Sequence, residues 1–174
     1  MTYKFQVMDE NNENIFASVI EAYKGIIYKI ARSYCSVEDD RKDLIQEILL
    51  QLWKSFAKYN PQFRYSTWVY RIALNVAISF YRKEKSRGNI SHVYTDEIFK
   101  MEDYSPPDKK EDLLLLQQFI NELKPLDKAL MLLYLDEKSH KEISDITGIS
   151  ETNAATKINR IKNLLKQKFS RINH

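Results

Sequence analysis

Residues 142–161 read EISDITGISETNAATKINRI, and the interruption at Gly148 is what decides the fold. Ile143, Ile146, Ile149, Ile158 and Ile161 recur at helical steps on both sides of it, which predicts two short helices sharing one apolar seam. Ser144 is small enough to let them approach, Gly148 can take the left-handed conformation of a tight turn, and Ser150 is placed to cap the second helix. Together these make a helix-turn-helix. Its second helix would expose Glu151, Thr152, Asn153, Thr156, Lys157 and Arg160. On the residues alone the pair is either an ordinary helical hairpin or a reader of a DNA major groove. The basic character of the last helix favours the DNA reader.

Composition extends the helical reading to the whole chain. Of 174 residues only three are Gly and four Pro, and 44% are hydrophobic, so long helices with packed cores are expected and a turn-rich β architecture is not. The expected fold class is all-α, with two small helical domains joined by a flexible linker, the second being the helix-turn-helix. A lone Cys35 forms no internal disulfide, and with His92, His140 and His174 scattered along the chain no metal site and no cofactor are expected. The N-terminal residues carry no basic stretch followed by an apolar core. The longest apolar run, residues 129–135, is far short of the ~18 residues of a membrane span. A cytoplasmic protein without membrane insertion is expected.

Charge is unevenly spread. Arg64, Arg71, Arg82, Lys83, Lys85 and Arg87 face a single acid, Glu84, within residues 64–87. Lys157, Arg160, Lys162, Lys166, Lys168 and Arg171 face only Glu151 within residues 150–174. The chain as a whole is only +3, so its remaining parts are acidic. Two separate basic footprints fit either two solvated helix faces or a polyanion gripped in two places.

Upstream, Phe16, Val19, Ile20, Tyr23, Ile26, Ile27 and Ile30 mark one amphipathic helix. The sequence Ser36-Val37-Glu38-Asp39 has the form of a capping box for a second, which carries Leu44, Ile48, Leu52, Trp53 and Phe56 and must end before Pro61. Ser66 or Thr67 can cap a third, with Val69, Ile72, Ala73, Val76 and Phe80 on one side and Arg71, Asn75, Ser79 and Arg82 on the other. Between the second and third helices, residues 59–75 read YNPQFRYSTWVYRIALN. Five rings and two arginines around a proline turn suit a surface that captures unstacked bases; the other reading is that Trp68 and Tyr70 fasten the bundle while only Phe63 and Tyr65 stay at the surface, and for Trp68 packing is favoured. Periodicity then fails over residues 88–110, where Ser105-Pro106-Pro107-Asp108 reads as linker. Domains are therefore expected at 1–88 and 111–174, with a linker at 89–110.

Three segments in this order, DLIQEILLQLW (43–53), STWVYRIALN (66–75) and the helix-turn-helix, resemble a bacterial RNA polymerase sigma factor of the extracytoplasmic-function group of the sigma-70 family. The resemblance runs from about residue 15 to 170 and rests on order and spacing rather than on any single motif. It implies core RNA polymerase, promoter DNA and an anti-sigma factor as partners. It assigns Asp43, Gln46, Glu47, Leu49 and Trp53 to the polymerase clamp. It assigns the loop residues Asn60, Phe63, Arg64, Tyr65 and Ser66, with Trp68, Arg71, Asn75, Ser79, Arg82 and Lys83, to the minus-ten element and its opened non-template strand.

Within that set Asn75 can bond a base edge, while Arg71, Arg82 and Lys83 suit phosphates. The resemblance gives Thr152, Asn153, Thr156, Lys157 and Arg160 to the minus-thirty-five element. Relatives commonly have glycine-threonine-valine-lysine-serine-arginine where this chain has Thr152-Asn153-Ala154-Ala155-Thr156-Lys157. Lysine in place of arginine loses a two-pronged donor for guanine, so a different promoter preference is expected. The linker acids Asp96, Glu97, Glu102 and Asp103 would lie near the RNA path.

Two other classes are weighed. A helix-turn-helix regulator that never joins polymerase explains residues 140–169 but leaves the loop rings and the first basic face without a use. A nucleic-acid enzyme needs converging carboxylates, whereas Glu38, Asp39, Asp40 and Asp43 sit at a helix start where acids offset the macrodipole.

Overall fold

The computed structural model describes residues 10–88 and 107–172. The linker acids Asp96, Glu97, Glu102 and Asp103 lie outside the described residues. Seven helices follow one another: α1 Glu10–Tyr34, α2 Glu38–Phe56, α3 Tyr65–Ser86, α4 Pro107–Asn121, α5 Pro125–Leu135, α6 His140–Thr147 and α7 Glu151–Ile172. No strand occurs among the described residues.

The first three helices pack on one another. On α2, Leu44, Ile48, Leu52 and Phe56 stand four residues apart and are all buried, so one stripe of the helix faces inward. On α3, Val69, Ala73 and Ala77 are fully enclosed, and two alanines in that stripe let neighbouring backbones come close. Ile27, Ile30 and Ala31 of α1 complete the core. Deleting a side chain from such a stripe costs about 2–5 kcal/mol.

The second unit is built round α5. Pro125 opens that helix at a position where its missing N–H costs nothing, and residues 129–133 are buried on every side. Helices α4, α6 and α7 all pack on it. Gly148 ends α6 with φ 78° and returns its N–H to the Ser144 carbonyl, and the Ser150 hydroxyl accepts from the Asn153 N–H at 3.2 Å. The expected turn and cap of the helix-turn-helix are both present.

Several local expectations fail for identifiable reasons. Ser36 makes no capping box, because Val37 occupies the N-cap and no side chain bonds there; the acids Glu38, Asp39 and Asp40 in the first turn offset the dipole instead. Neither Ser66 nor Thr67 caps α3, because the helix already begins at Tyr65 with Arg64 at the N-cap and no capping side chain. The capping box belongs to α6, where Ser139 and Glu142 satisfy each other's backbone N–H groups, and these bonds hold the Glu142 carboxyl below its ordinary range. The Pro106-Pro107 pair does not extend the linker to residue 110, since Pro107 is the first residue of α4.

The two units are in contact, with α3 packing on both α5 and α6. Lys128 lies at this junction, 6% exposed, bonded to Asn121 Oδ1 at 2.8 Å and 5.2 Å from the centre of the Tyr34 ring. Burial lowers its pKa from 10.5 to about 8. The unfolded chain therefore holds this proton to higher pH than the folded one, and stability rises as pH climbs from about 8 towards 10.5. Lys128→Met should stabilise the protein at pH 7 by about 1–3 kcal/mol, with the gain shrinking towards pH 10; urea denaturation at the two pH values reads the difference.

Candidate nucleic-acid and polymerase interface

Three exposed surfaces remain once the core is accounted for. The first is the outer side of α2. Asp43, Gln46 and Glu47 are exposed while Leu49 and Trp53 are half-buried, so acids, an amide and apolar surface share one strip. Trp53 sets its edge against Phe16, with ring centres 5.0 Å apart. One side of the indole therefore anchors α2 to α1 and the other faces outward. Leu50, 42% exposed, enlarges the apolar part of this strip.

The second surface is the loop at residues 57–64 with the polar side of α3. The loop is short and internally tied: the Phe63 N–H donates to the Asn60 carbonyl at 3.1 Å, the Gln62 N–H donates to Asn60 Oδ1 at 3.0 Å, and the Tyr59 hydroxyl donates to the Phe63 carbonyl. Tyr59 and Tyr65 stack with centres 4.3 Å apart, and both meet Trp68 edge-on. Trp68 in turn packs on Phe56.

The five rings thus divide their work. Trp68 is 8% and Tyr70 7% exposed; they fasten the bundle. Phe63 and Tyr65 are half-buried and keep accessible faces, and Asn60 and Arg64 are exposed beside them. The resemblance groups Trp68 with the DNA readers, whereas its residues favour packing; in the fold it backs the loop from inside. Tyr59, which that grouping left out, ties the loop backbone and stacks on Tyr65. Its place six residues before Tyr65, across Pro61, was the available signal.

Along α3, Asn75, Ser79, Arg82 and Lys83 are exposed, whereas Ser66 and Arg71 are half-buried. The Arg71 guanidinium lies 4.9 Å from the Phe63 ring centre. Its Nε donates to the Asp145 carbonyl of α6 at 3.0 Å, and its Nη2 donates to the same oxygen.

The α2 and α3 surfaces meet. A cleft of about 650 Å³ is lined by Asp43, Glu47 and Gln51 from α2 and by Ile72, Asn75, Val76, Ser79, Phe80 and Lys83 from α3. Acids stand on one wall, apolar side chains between, and an amide, a hydroxyl and an ammonium on the other. The sequence places these residues on two helices; only the packing of α2 on α3 puts them round one space.

The third surface is the start of α7. Thr152, Asn153, Thr156 and Arg160 are exposed and Lys157 is half-buried. The Thr156 hydroxyl donates to the Thr152 carbonyl at 2.8 Å, which leaves its lone pairs outward as acceptors. Arg160 sits 3.6 Å from Asp127 with 67% of its side chain exposed, so this pair adds little to stability and the guanidinium can be drawn to a phosphate. No helix among the described residues is long and apolar enough to cross a membrane.

Known proteins share this order of parts. Residues 19–87 match the family model for Sigma-70 region 2, and residues 113–165 match that for Sigma-70, region 4. The ECF RNA polymerase sigma factor SigM of Bacillus subtilis is 27% identical over 154 residues, covering 88% of this chain and 94% of its own. SigW of the same organism is 26% identical and covers 95% of both chains. Among solved structures, the sigma factor RpoE of Bartonella quintana, in complex with the anti-sigma factor NepR, aligns with a TM-score of 0.66 at 18% identity, over 93% of this chain and 98% of that one. With both regions matched in order, the chain belongs to the extracytoplasmic-function group of the sigma-70 family.

Proposed function

We propose that the chain is a transcription initiation factor that binds core RNA polymerase through α2 and directs it to promoters through two DNA-reading surfaces. The observation that carries this reading is the α2–α3 cleft, where Asp43 and Glu47 share one space with Asn75, Ser79 and Lys83. A regulator that only docks on duplex DNA needs α7 alone. A protein that must bring polymerase to a strand as it opens needs both walls of this cleft. Sigma-70 factors act in initiation without being enzymes, and this chain acts in the same way, in the cytoplasm.

The first unit, residues 1–88, carries polymerase binding and the minus-ten element. Asp43, Gln46, Glu47, Leu49 and Trp53 form the polymerase surface. Asn60, Phe63, Arg64, Tyr65 and Ser66 form the loop pocket, with Trp68 behind it. A base leaves the stack at a cost of a few kcal/mol, and stacking on an exposed ring returns roughly 1–3 kcal/mol. Phe63 and Tyr65 are placed to supply that return. Asn75 and Ser79 bond base edges, and Arg71, Arg82 and Lys83 hold phosphates. The second unit, residues 111–174, reads the minus-thirty-five element through Thr152, Asn153, Thr156, Lys157 and Arg160. An anti-sigma factor is a further partner, a reading supported by the fold shared with RpoE bound to NepR.

Three measurements check these assignments. Glu47→Lys should weaken the complex with core polymerase roughly tenfold while circular dichroism stays native; unchanged affinity would remove α2 from the polymerase surface. Asn75→Ala should weaken open-complex formation by about 1–3 kcal/mol. On a template with a pre-opened bubble it should recover only in part, and a variant as active as its parent on both templates would show that Asn75 reads no base. Arg160→Ala should lower the salt slope of binding to upstream duplex by about 0.9 if the side chain meets a phosphate, with sequence preference kept.

A further inference from the structure

The loop between α2 and α3 is a tight turn with Gln62 near its tip. Pro61 and Gln62 are the central pair, closed by the Phe63 N–H on the Asn60 carbonyl at 3.1 Å, and proline suits the first of these places because its φ is already set. Asn60 Oδ1 accepts the Gln62 N–H at 3.0 Å, so the Asn60 side chain braces the turn. An N–H can bond only the amide oxygen, which leaves the Asn60 nitrogen turned towards Gln62, 3.5 Å from its Oε1. That distance is the long limit of a hydrogen bond. It orients the Gln62 carboxamide and gives way to a better partner.

The exposed residues of the loop are Ala57, Lys58, Asn60, Pro61, Gln62 and Arg64, and of their side chains only Asn60 and Gln62 carry both a donor and an acceptor. Asn60 has given its acceptor to the backbone. Lys58 and Arg64 offer donors alone, which suit phosphates but cannot match a base edge that sets a donor beside an acceptor. Gln62 can match such an edge. The rings that follow it are held from behind: the Arg71 guanidinium lies 4.9 Å from the Phe63 centre, and Tyr59 stacks on Tyr65 at 4.3 Å. A base laid on the accessible face of Phe63 is one residue away from Gln62.

We infer that Gln62 reads the identity of the base captured by the loop, that Asn60 is the positioning residue that aims it, and that the base preferred is adenine. The inference rests on the assignment of the loop to the opened non-template strand. A carboxamide matches a donor beside an acceptor, and adenine presents that pair on either side of its N6 amine, with N7 or with N1. As a purine it also offers a larger face to the ring than a pyrimidine does.

Holoenzyme assembled from the full chain and core polymerase is given promoter templates with a pre-opened bubble, randomised across the non-template strand of the minus-ten element, and the bound templates are sequenced. The parent should enrich adenine at one unpaired position roughly tenfold. Gln62→Glu replaces the donor with a second acceptor and should move that position to guanine, whose N1–H and N2 amine are adjacent donors. Gln62→Ala should level the same position, and the other positions should keep the parent's preference in both variants. Asn60→Asp keeps the acceptor that braces the turn, so it should retain the adenine preference while its charge lowers affinity for all four bases alike. A preference that survives both Gln62 substitutions, or that moves with Asn60→Asp instead, would overturn the proposal and leave the loop as a strand reader. A parent that selects no base at any unpaired position would overturn the strand reading itself, and the role of Gln62 with it.

Discussion

Helix α3 packs against α1 and α2 within its own unit and against α5 and α6 of the other, and everything else in the structure depends on how its circumference is shared. Val69, Ala73 and Ala77 take the inner stripe. Trp68 and Tyr70 are also buried, one backing the loop and the other bonding Asp136. What remains outward is Asn75, Ser79, Arg82 and Lys83. Small residues on the inner stripe draw the neighbouring helices in, and their closeness gives α2 and α3 a common cleft. A bulkier side chain at Ala73 or Ala77, both fully enclosed, would push α3 away from its neighbours and disturb the cleft between α2 and α3.

The contact between the two units includes several polar bonds beside the apolar core. Its parts are a carboxylate with two donors, a guanidinium on a helix-end carbonyl, and a tyrosine hydroxyl on a backbone carbonyl. Each such bond is worth about 1 kcal/mol net, and the Lys29–Asp136 pair, with a third of the lysine side chain exposed, adds little more.

Much of this was legible in the sequence. The helical repeat fixed the core stripes of α1, α2, α3 and α7, and Gly148 with Ser150 marked the helix-turn-helix, because these signals span only a few residues. Caps were read less well. A serine with an acid three residues on occurs at Ser36 and at Ser139, but α2 takes Val37 as its N-cap and α6 takes Ser139, so only at α6 do both bonds close. The rings of residues 59–75 could be sorted from the sequence as far as Trp68 and Tyr70 inside and Phe63 and Tyr65 outside, but the stacking of Tyr59 on Tyr65 behind Trp68 depends on the folded loop. The contact between units left no local signal at all: Lys29 and Asp136 are 107 residues apart, and nothing periodic connects them.

The open promoter complex tests the account most directly, and a cryo-electron microscopy structure of this chain with core polymerase and a melted promoter would be the decisive measurement. The account predicts the clamp against Asp43, Glu47 and Trp53, an unpaired non-template base against Phe63 or Tyr65 near Asn75, α7 in the upstream major groove, and Arg71 moved from the Asp145 carbonyl to a phosphate. A complex in which Arg71 still caps α6 while the melted strand runs elsewhere would contradict it.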